Sequence, residues 1–301
     1  MTPLQQYMAE EIATDHADGI LDRREALRRL GMMGLGVAAA SALLAACSSN
    51  QSDGQAHSSS SAATASGPPG AAGALPTSAV TFAGPQGRTL HAAWSEAKKS
   101  PRGGVLVIHE NTGLTDFIRS VTGRFASLGY SALAVDLLSE EGGTATFSEP
   151  AAATAALSKI PQERFVADLQ AGLEELARRV PDGKLGVTGF CFGGGLTWML
   201  LTAGTPNIAA ATPFYGPFPA GGDLSRSKAA VLAIYGSLDA RVGATRPAAE
   251  AALENAGLPH ETFIAQGADH AFFNDTGPRY NAAGATEAWR RVTDWYGRYL
   301  G

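Results

Sequence analysis

The run Lys184-Leu185-Gly186-Val187-Thr188-Gly189-Phe190-Cys191-Phe192-Gly193-Gly194-Gly195-Leu196-Thr197-Trp198-Met199-Leu200-Leu201 decides how the rest of the chain is read. It opens strand-like, closes as an apolar helix-like stretch, and carries a cluster of glycines between the two. A nucleophile held on such a strand-turn-helix elbow needs small residues two before and two after it. Gly189 and Gly193 stand at those places around Cys191, so the pattern is a nucleophile elbow with cysteine where serine is usual. A helix N-terminus also favours the thiolate, whose free pKa near 8.5 leaves only roughly a few per cent ionised at neutral pH. A buried core cysteine beside a glycine-rich turn is the competing reading.

A thiol nucleophile needs a base to take and return its proton, and a third group to hold that base. On an elbow of this kind the chain order is nucleophile, acid, histidine. His16 and His57 lie in N-terminal segments treated below and His91 in an early hairpin, which leaves His260 and His270 after Cys191. These two flank the strand-like stretch from Glu261 to Ile264. Chemistry in open parallel sheets gathers at the carboxyl ends of strands, where His270 lies and His260 does not. Among the acids, Asp223 has no strand directly before it, and Asp269 adjoins His270, where neighbours in an extended loop point apart. Asp239 follows the strand ending at Tyr235 through Gly236-Ser237-Leu238 and is the preferred acid, with a turn or N-cap aspartate as its alternative. An oxyanion hole needs two donors. The backbone N–H of Phe192 supplies one, and the loop His109-Glu110-Asn111-Thr112-Gly113 offers the Asn111 N–H as the other. His109 precedes Cys191 and reads as a packed or loop-supporting residue.

From Val80 onward, strands and helices alternate, which predicts an α/β fold with a mainly parallel central sheet and helices on both faces. Ala79–Ala83 and Arg88–Trp94 read as an opening hairpin around Gly84-Pro85-Gln86-Gly87. Strand-like runs follow at Gly104–Ile108, Ser131–Val135, Lys184–Thr188, Ile208–Phe214, Ala229–Tyr235 and Glu261–Ile264. Helical patterns cover Asp116–Leu128, Pro161–Val180, Arg246–Ala256 and Thr286–Leu300, the second with Phe165, Leu169, Leu173 and Leu176 on one face.

The chain has 301 residues, 45% of them hydrophobic, enough for one large domain. A formal charge of -5 gives no basic footprint, so no nucleic-acid partner is expected. There are 2 cysteines, Cys47 and Cys191. Residues 1–29 are polar, Leu30–Ala46 is apolar and rich in Ala and Gly, and Cys47 then opens a Ser/Ala/Gly-rich tract. That is the architecture of a signal peptide. Arg23-Arg24-Glu25-Ala26-Leu27-Arg28 resembles a twin-arginine export motif, and Leu44-Ala45-Ala46-Cys47 resembles a bacterial lipobox. The resemblance implies three segments: a signal peptide over 1–46, a flexible tether over 47–77, and a folded domain over 78–301. It also implies acylation of Cys47 and a lipid anchor on an extracytoplasmic membrane surface. An uncleaved transmembrane helix is the alternative for the apolar stretch.

The folded part resembles the dienelactone hydrolase family of the α/β-hydrolase fold. The stretches that carry the likeness are His109-Glu110-Asn111-Thr112-Gly113-Leu114, Ala134-Val135-Asp136-Leu137-Leu138, Gly189 to Gly194, Tyr235-Gly236-Ser237-Leu238-Asp239 and His270 to Tyr280. It implies Cys191 as nucleophile, His270 as base and acid, Asp239 as the orienting carboxylate, and Glu110 as the group that helps form the thiolate. The implied cycle is attack on an ester or lactone carbonyl, a thioester, and hydrolysis by water that His270 activates, with no cofactor and no metal. Dienelactone-degrading members carry two arginines for the substrate carboxylate, and Glu140 and Asn274 stand here in their places. Arg279 is left as a single candidate anion clamp, or as the partner of a surface carboxylate. An ester or lactone is thus the expected small-molecule partner. A non-catalytic ligand-binding envelope lipoprotein on the same scaffold is the rival reading, and a redox thiol a third.

Overall fold

The computed structural model describes residues 1–49 and 67–301, with the side chains of 47–49 outside that set. The acylation expected at Cys47 and most of the expected tether, His57 included, therefore lie outside the described residues.

Eight strands form one sheet in the order β1-β2-β4-β3-β5-β6-β7-β8. β1 (Ser78–Ala83) and β2 (Thr89–Ser95) make the opening hairpin, and β2 pairs antiparallel with β4 (Tyr130–Val135). Every other pairing is parallel, through β3 (Gly103–Ile108), β5 (Leu185–Phe190), β6 (Ile208–Phe214), β7 (Ala230–Gly236) and β8 (His260–Ala265). β3, β4, β5 and β7 are buried along their whole length, which is why they read as nearly continuous apolar runs. The expected mainly parallel α/β architecture is what the chain adopts. β5 runs two residues further than its sequence signal, through Gly189 and Phe190, because register with β3 and β6 carries it on to the nucleophile.

The sheet is covered on both faces. α4 (Asp116–Ser127) and α10 (Ala282–Tyr299) share one face, where Phe125 packs on Trp289 and Tyr296 at centroid distances of 5.0 and 5.7 Å. α6 (Gln162–Arg179) and α7 (Phe192–Thr202) share the other, joined by an edge-on contact of Phe165 and Phe192 at 5.2 Å. The periodic residues of α6 are all buried. α10 begins a turn before its expected start, since the Asn281 side chain caps the Gly284 N–H at 2.9 Å. α5 (Pro150–Leu157), α8 (Ala240–Gly243) and α9 (Arg246–Asn255) complete the domain. Arg124 of α4 is 1% exposed. Its guanidinium bonds the Pro69 carbonyl at 3.2 Å and the Asp275 carboxylate at 2.6 Å, tying three distant stretches of chain together.

The N-terminal stretch departs from the simple picture of a polar leader. It forms α1 (Pro3–Ala17), α2 (Arg23–Met32) and α3 (Val37–Ser49), and α1 buries Tyr7, Met8, Ala9, Ile12 and Ala13. A capping box of Thr2 and Gln5, with Pro3 in the first turn, starts α1. Asp22 caps α2, whose first turn leaves Arg23 and Arg24 exposed. Among the described residues, no helix is long and apolar enough to cross a membrane.

Candidate active site

The β5-α7 turn places Cys191 at φ 56°, ψ -117°, a conformation that side-chain-bearing residues seldom adopt outside constrained sites. Two glycines make it possible. A Cβ on Gly189 would stand 2.0 Å from the Gly193 carbonyl oxygen, and one on Gly193 would stand 2.4 Å from the Ile108 oxygen. Phe192 occupies the first position of α7, where a backbone N–H has no acceptor within the helix and remains available to an anion.

Asp239 emerges from the carboxyl end of β7 and His270 from beyond β8, as strand-end reasoning anticipates. His270 Nδ1 donates to Asp239 Oδ2 at 2.6 Å, while Asp239 Oδ1 accepts the Val242 N–H at 3.0 Å. The aspartate thus caps α8 and orients the imidazole at once, joining the two readings open to it. Burial opposes charge on both groups, yet their mutual attraction prevails: His270 is raised above its usual pKa and Asp239 lowered. His270 Nε2 is buried and finds no hydrogen-bond partner among the described residues. Asp269 instead accepts the His270 backbone N–H at 2.6 Å, and Asp223 bonds Ser225 on an exposed loop.

The loop after β3 carries Glu110. Asn274 donates to its Oε2 at 2.6 Å, so the asparagine that stands for a family arginine holds the glutamate. Burial, reinforced by the negative charge of Glu11, pushes the Glu110 carboxyl up to about 7. His109 braces the same loop: it accepts the Leu137 N–H on Nε2 at 3.2 Å and donates from Nδ1 to the Glu110 carbonyl at 2.6 Å. Asn111 anchors α5 through its carbonyl, which accepts Thr154 Oγ1 at 3.0 Å. Glu140, at the other departure, lies half-exposed and pairs with Arg164 at 3.1 Å.

Three side chains escaped the sequence reading. The Tyr7 hydroxyl stands 3.5 Å from Cys191 Sγ, the thiol donates to Glu11 Oε2 at 3.2 Å, and the Arg241 guanidinium lies 4.4 Å above the Tyr7 ring. Arg241 Nε and Nη1 are buried with no hydrogen-bond partner among the described residues. Arg279, left between two roles, bonds Asp15 at 2.7 Å and also Asp18, both next to or within α1. Cys191 is 2% exposed, and burial together with the Glu11 and Glu110 charges raises its pKa well above that of a free thiol. This corrects the expectation that the helix N-terminus favours the thiolate: with α1 in place, desolvation and two carboxylates outweigh the helix end. Among the described residues, Cys191, His270 and Glu11 offer ligand atoms within 4.8 Å of one another and form a group that could hold a metal ion.

A thiol on a strained elbow, a buried histidine-aspartate pair and eight mostly parallel strands define a nucleophile-elbow hydrolase of the α/β type. The dienelactone hydrolase family model matches residues 90–300, and the chain belongs to that family. It is 32% identical over 220 residues to a Methylorubrum extorquens protein named "Putative carboxymethylenebutenolidase", covering 67% of this chain and 74% of the relative. An Escherichia coli protein of the same name is 31% identical over 231 residues, covering 72% and 85%. Among solved structures, a dienelactone hydrolase-like promiscuous phosphotriesterase from metagenomic libraries is similar at a TM-score of 0.64 and 26% identity, covering 76% of this chain and 100% of that one.

Proposed function

We propose that this protein hydrolyses carboxylic esters or lactones with Cys191 as nucleophile. His270 Nε2 takes the thiol proton as Sγ attacks the carbonyl carbon, and the N–H groups of Phe192 and Asn111 receive the oxyanion. Collapse expels the alkoxide, which His270 protonates, and leaves a thioester. His270 then deprotonates a water that attacks the thioester, releasing the acid and returning the proton to sulfur. Asp239 keeps the imidazole in the tautomer that has Nε2 free. Glu110, pushed up to about 7, shares in forming the thiolate. The observation that carries the reading is the His270 to Asp239 bond of 2.6 Å, with Nε2 making no hydrogen bond among the described residues and a His270 ring nitrogen within 4.8 Å of Cys191 Sγ. Residues 48–301 are expected to cleave small aryl esters or lactones, and the Cys191→Ala form is not. Equal rates for the two would end the proposal.

We also infer export and a lipid anchor. The exposed Arg23 and Arg24 and the run Leu44-Ala45-Ala46-Cys47 support a twin-arginine leader cut before Cys47. Mass spectrometry of the cell-derived protein should find Cys47 acylated at the new N-terminus, and Cys47→Ala should release the protein from membranes. An unacylated protein that begins at residue 1 would refute this.

A further inference from the structure

Helix α1 lies across the mouth of the thiol pocket. Glu11 sets its two carboxylate oxygens 3.2 and 3.4 Å from Cys191 Sγ, and one of them 3.9 Å from His270 Nε2. With the Tyr7 hydroxyl at 3.5 Å, these atoms hold the space that a carbonyl carbon must enter, since attack needs the reacting atoms roughly 3–3.5 Å apart. The cavity beside Glu11 is modest. A cavity of about 90 Å³ lies between α1 and the loop of Asn111 and Thr112, whereas small-molecule sites run to roughly 300 Å³ or more.

The helix is seated by specific contacts as well as by its apolar side. Met8, Ala9 and Ala13 are fully buried, and Gln5 Nε2 donates to the Ser158 carbonyl at 2.8 Å. Arg279 binds Asp15, and Arg241 covers the Tyr7 ring. An acid and a tyrosine of α1 thus meet the two arginines that flank the site.

We propose that α1 is a built-in inhibitor, an acidic helix lodged in the acyl pocket that silences the unprocessed chain and departs when residues 1–46 are removed. This rests on the hydrolase and export readings above. Departure takes away the carboxylate nearest the sulfur, opens His270 Nε2 to water and substrate, uncovers Arg241, and relieves Arg279 of Asp15 and Asp18 while Asp269 stays beside it. It would also explain how a chain that folds before export withholds a reactive thiol until it arrives.

The test compares the intact 1–301 chain, its length verified by mass, with the Ala9→Asp/Ala13→Asp form, whose new carboxylates have no place in that dry contact. Circular dichroism and thermal melting verify that both are folded. Where the Asp pair does not fold, Tyr7→Ala/Glu11→Ala in the same chain replaces it. Iodoacetamide should alkylate Cys191 at least ~10-fold faster in the altered chain, and aryl-ester turnover should rise in step. Equal alkylation rates overturn the inference, and so does a fall in turnover on removing Glu11, which would make Glu11 a working part of the site. Faster alkylation with no ester hydrolysis by either chain upholds the cover and refutes the hydrolase reading.

Discussion

Two glutamates flank Cys191 and arrive there by opposite routes. Glu110 stands on the loop after β3, a strand locked between β4 and β5, and its carboxylate is fixed by Asn274 while His109 braces the backbone beneath it. Glu11 rides on α1, whose polar contacts to the domain are made by its own side chains: Asp15 to Arg279, Tyr7 to Arg241 and Gln5 to the Ser158 carbonyl. Sheet-anchored groups keep their places whatever the N-terminus does. Helix-borne groups can leave without disturbing a single strand pairing. The contrast separates the part of the site that carries chemistry from the part that controls access to it.

The sharpest way to break this division is to damage the anchored half. In residues 48–301, Asp239→Asn should lower kcat on the order of 10⁴-fold by releasing the histidine into the wrong tautomer. A loss under about tenfold on an aryl ester would move the base elsewhere.

A smaller effect tests the anchored glutamate as a store of pH dependence. Its carboxyl is raised from 4.5 to about 7, so the folded state holds the proton more tightly than the unfolded chain does. The stabilisation is therefore complete below about 4.5 and is lost as pH rises through about 7. The amount is about 3 kcal/mol. Glu110→Gln should flatten the urea midpoint of the intact chain across that window, and a slope unchanged from the native protein would contradict the assignment.

Smaller still is the effect of the clamp on that glutamate. Asn274→Ala removes a donor to the ionised form, so the Glu110 pKa should climb further at a stability cost of about 1–2 kcal/mol. The acid limb of kcat/KM should move upward with it. Unseating α1 should move the limb the other way, because the Glu11 charge is one of the causes that raise Glu110. If both changes leave the limb in place, Glu110 is not the group that titrates.

The anchored half was largely legible in the chain. The glycines around Cys191 report a backbone constraint that is local, and the ends of β7 and β8 are where elimination put Asp239 and His270. Neither inference needs knowledge of a distant partner. α1 was not legible, because the face it buries carries Glu11 and Asp15 among its apolar residues. Hydrophobic periodicity registers burial only where burial is apolar, and this helix sets partly buried acids against Cys191, His270 and Arg279. Its neighbours Arg23, Arg24 and the apolar run to Ala46 also gave the segment an address reading that left no reason to ask what it touched. α5 was missed for a plainer reason: Pro150-Ala151-Ala152-Ala153-Thr154-Ala155-Ala156-Leu157 is so rich in alanine that no face stands out. Arg241 left a faint trace two residues beyond Asp239, but spacing alone could not say that its guanidinium lies over the Tyr7 ring.

Arg124 carries a consequence for accuracy. His270 hangs on the loop between β8 and α10, and Asp275 in that loop is held by the Arg124 guanidinium of α4. The same guanidinium grips Pro69, so the aim of the imidazole is set partly by a stretch of chain ahead of the first strand. A misplacement of roughly 1 Å can cost on the order of a hundredfold in rate. The enzyme's tolerance for error at its base is thus written in a residue that never meets the substrate, and drift in that rivet would register in turnover before it registered in melting.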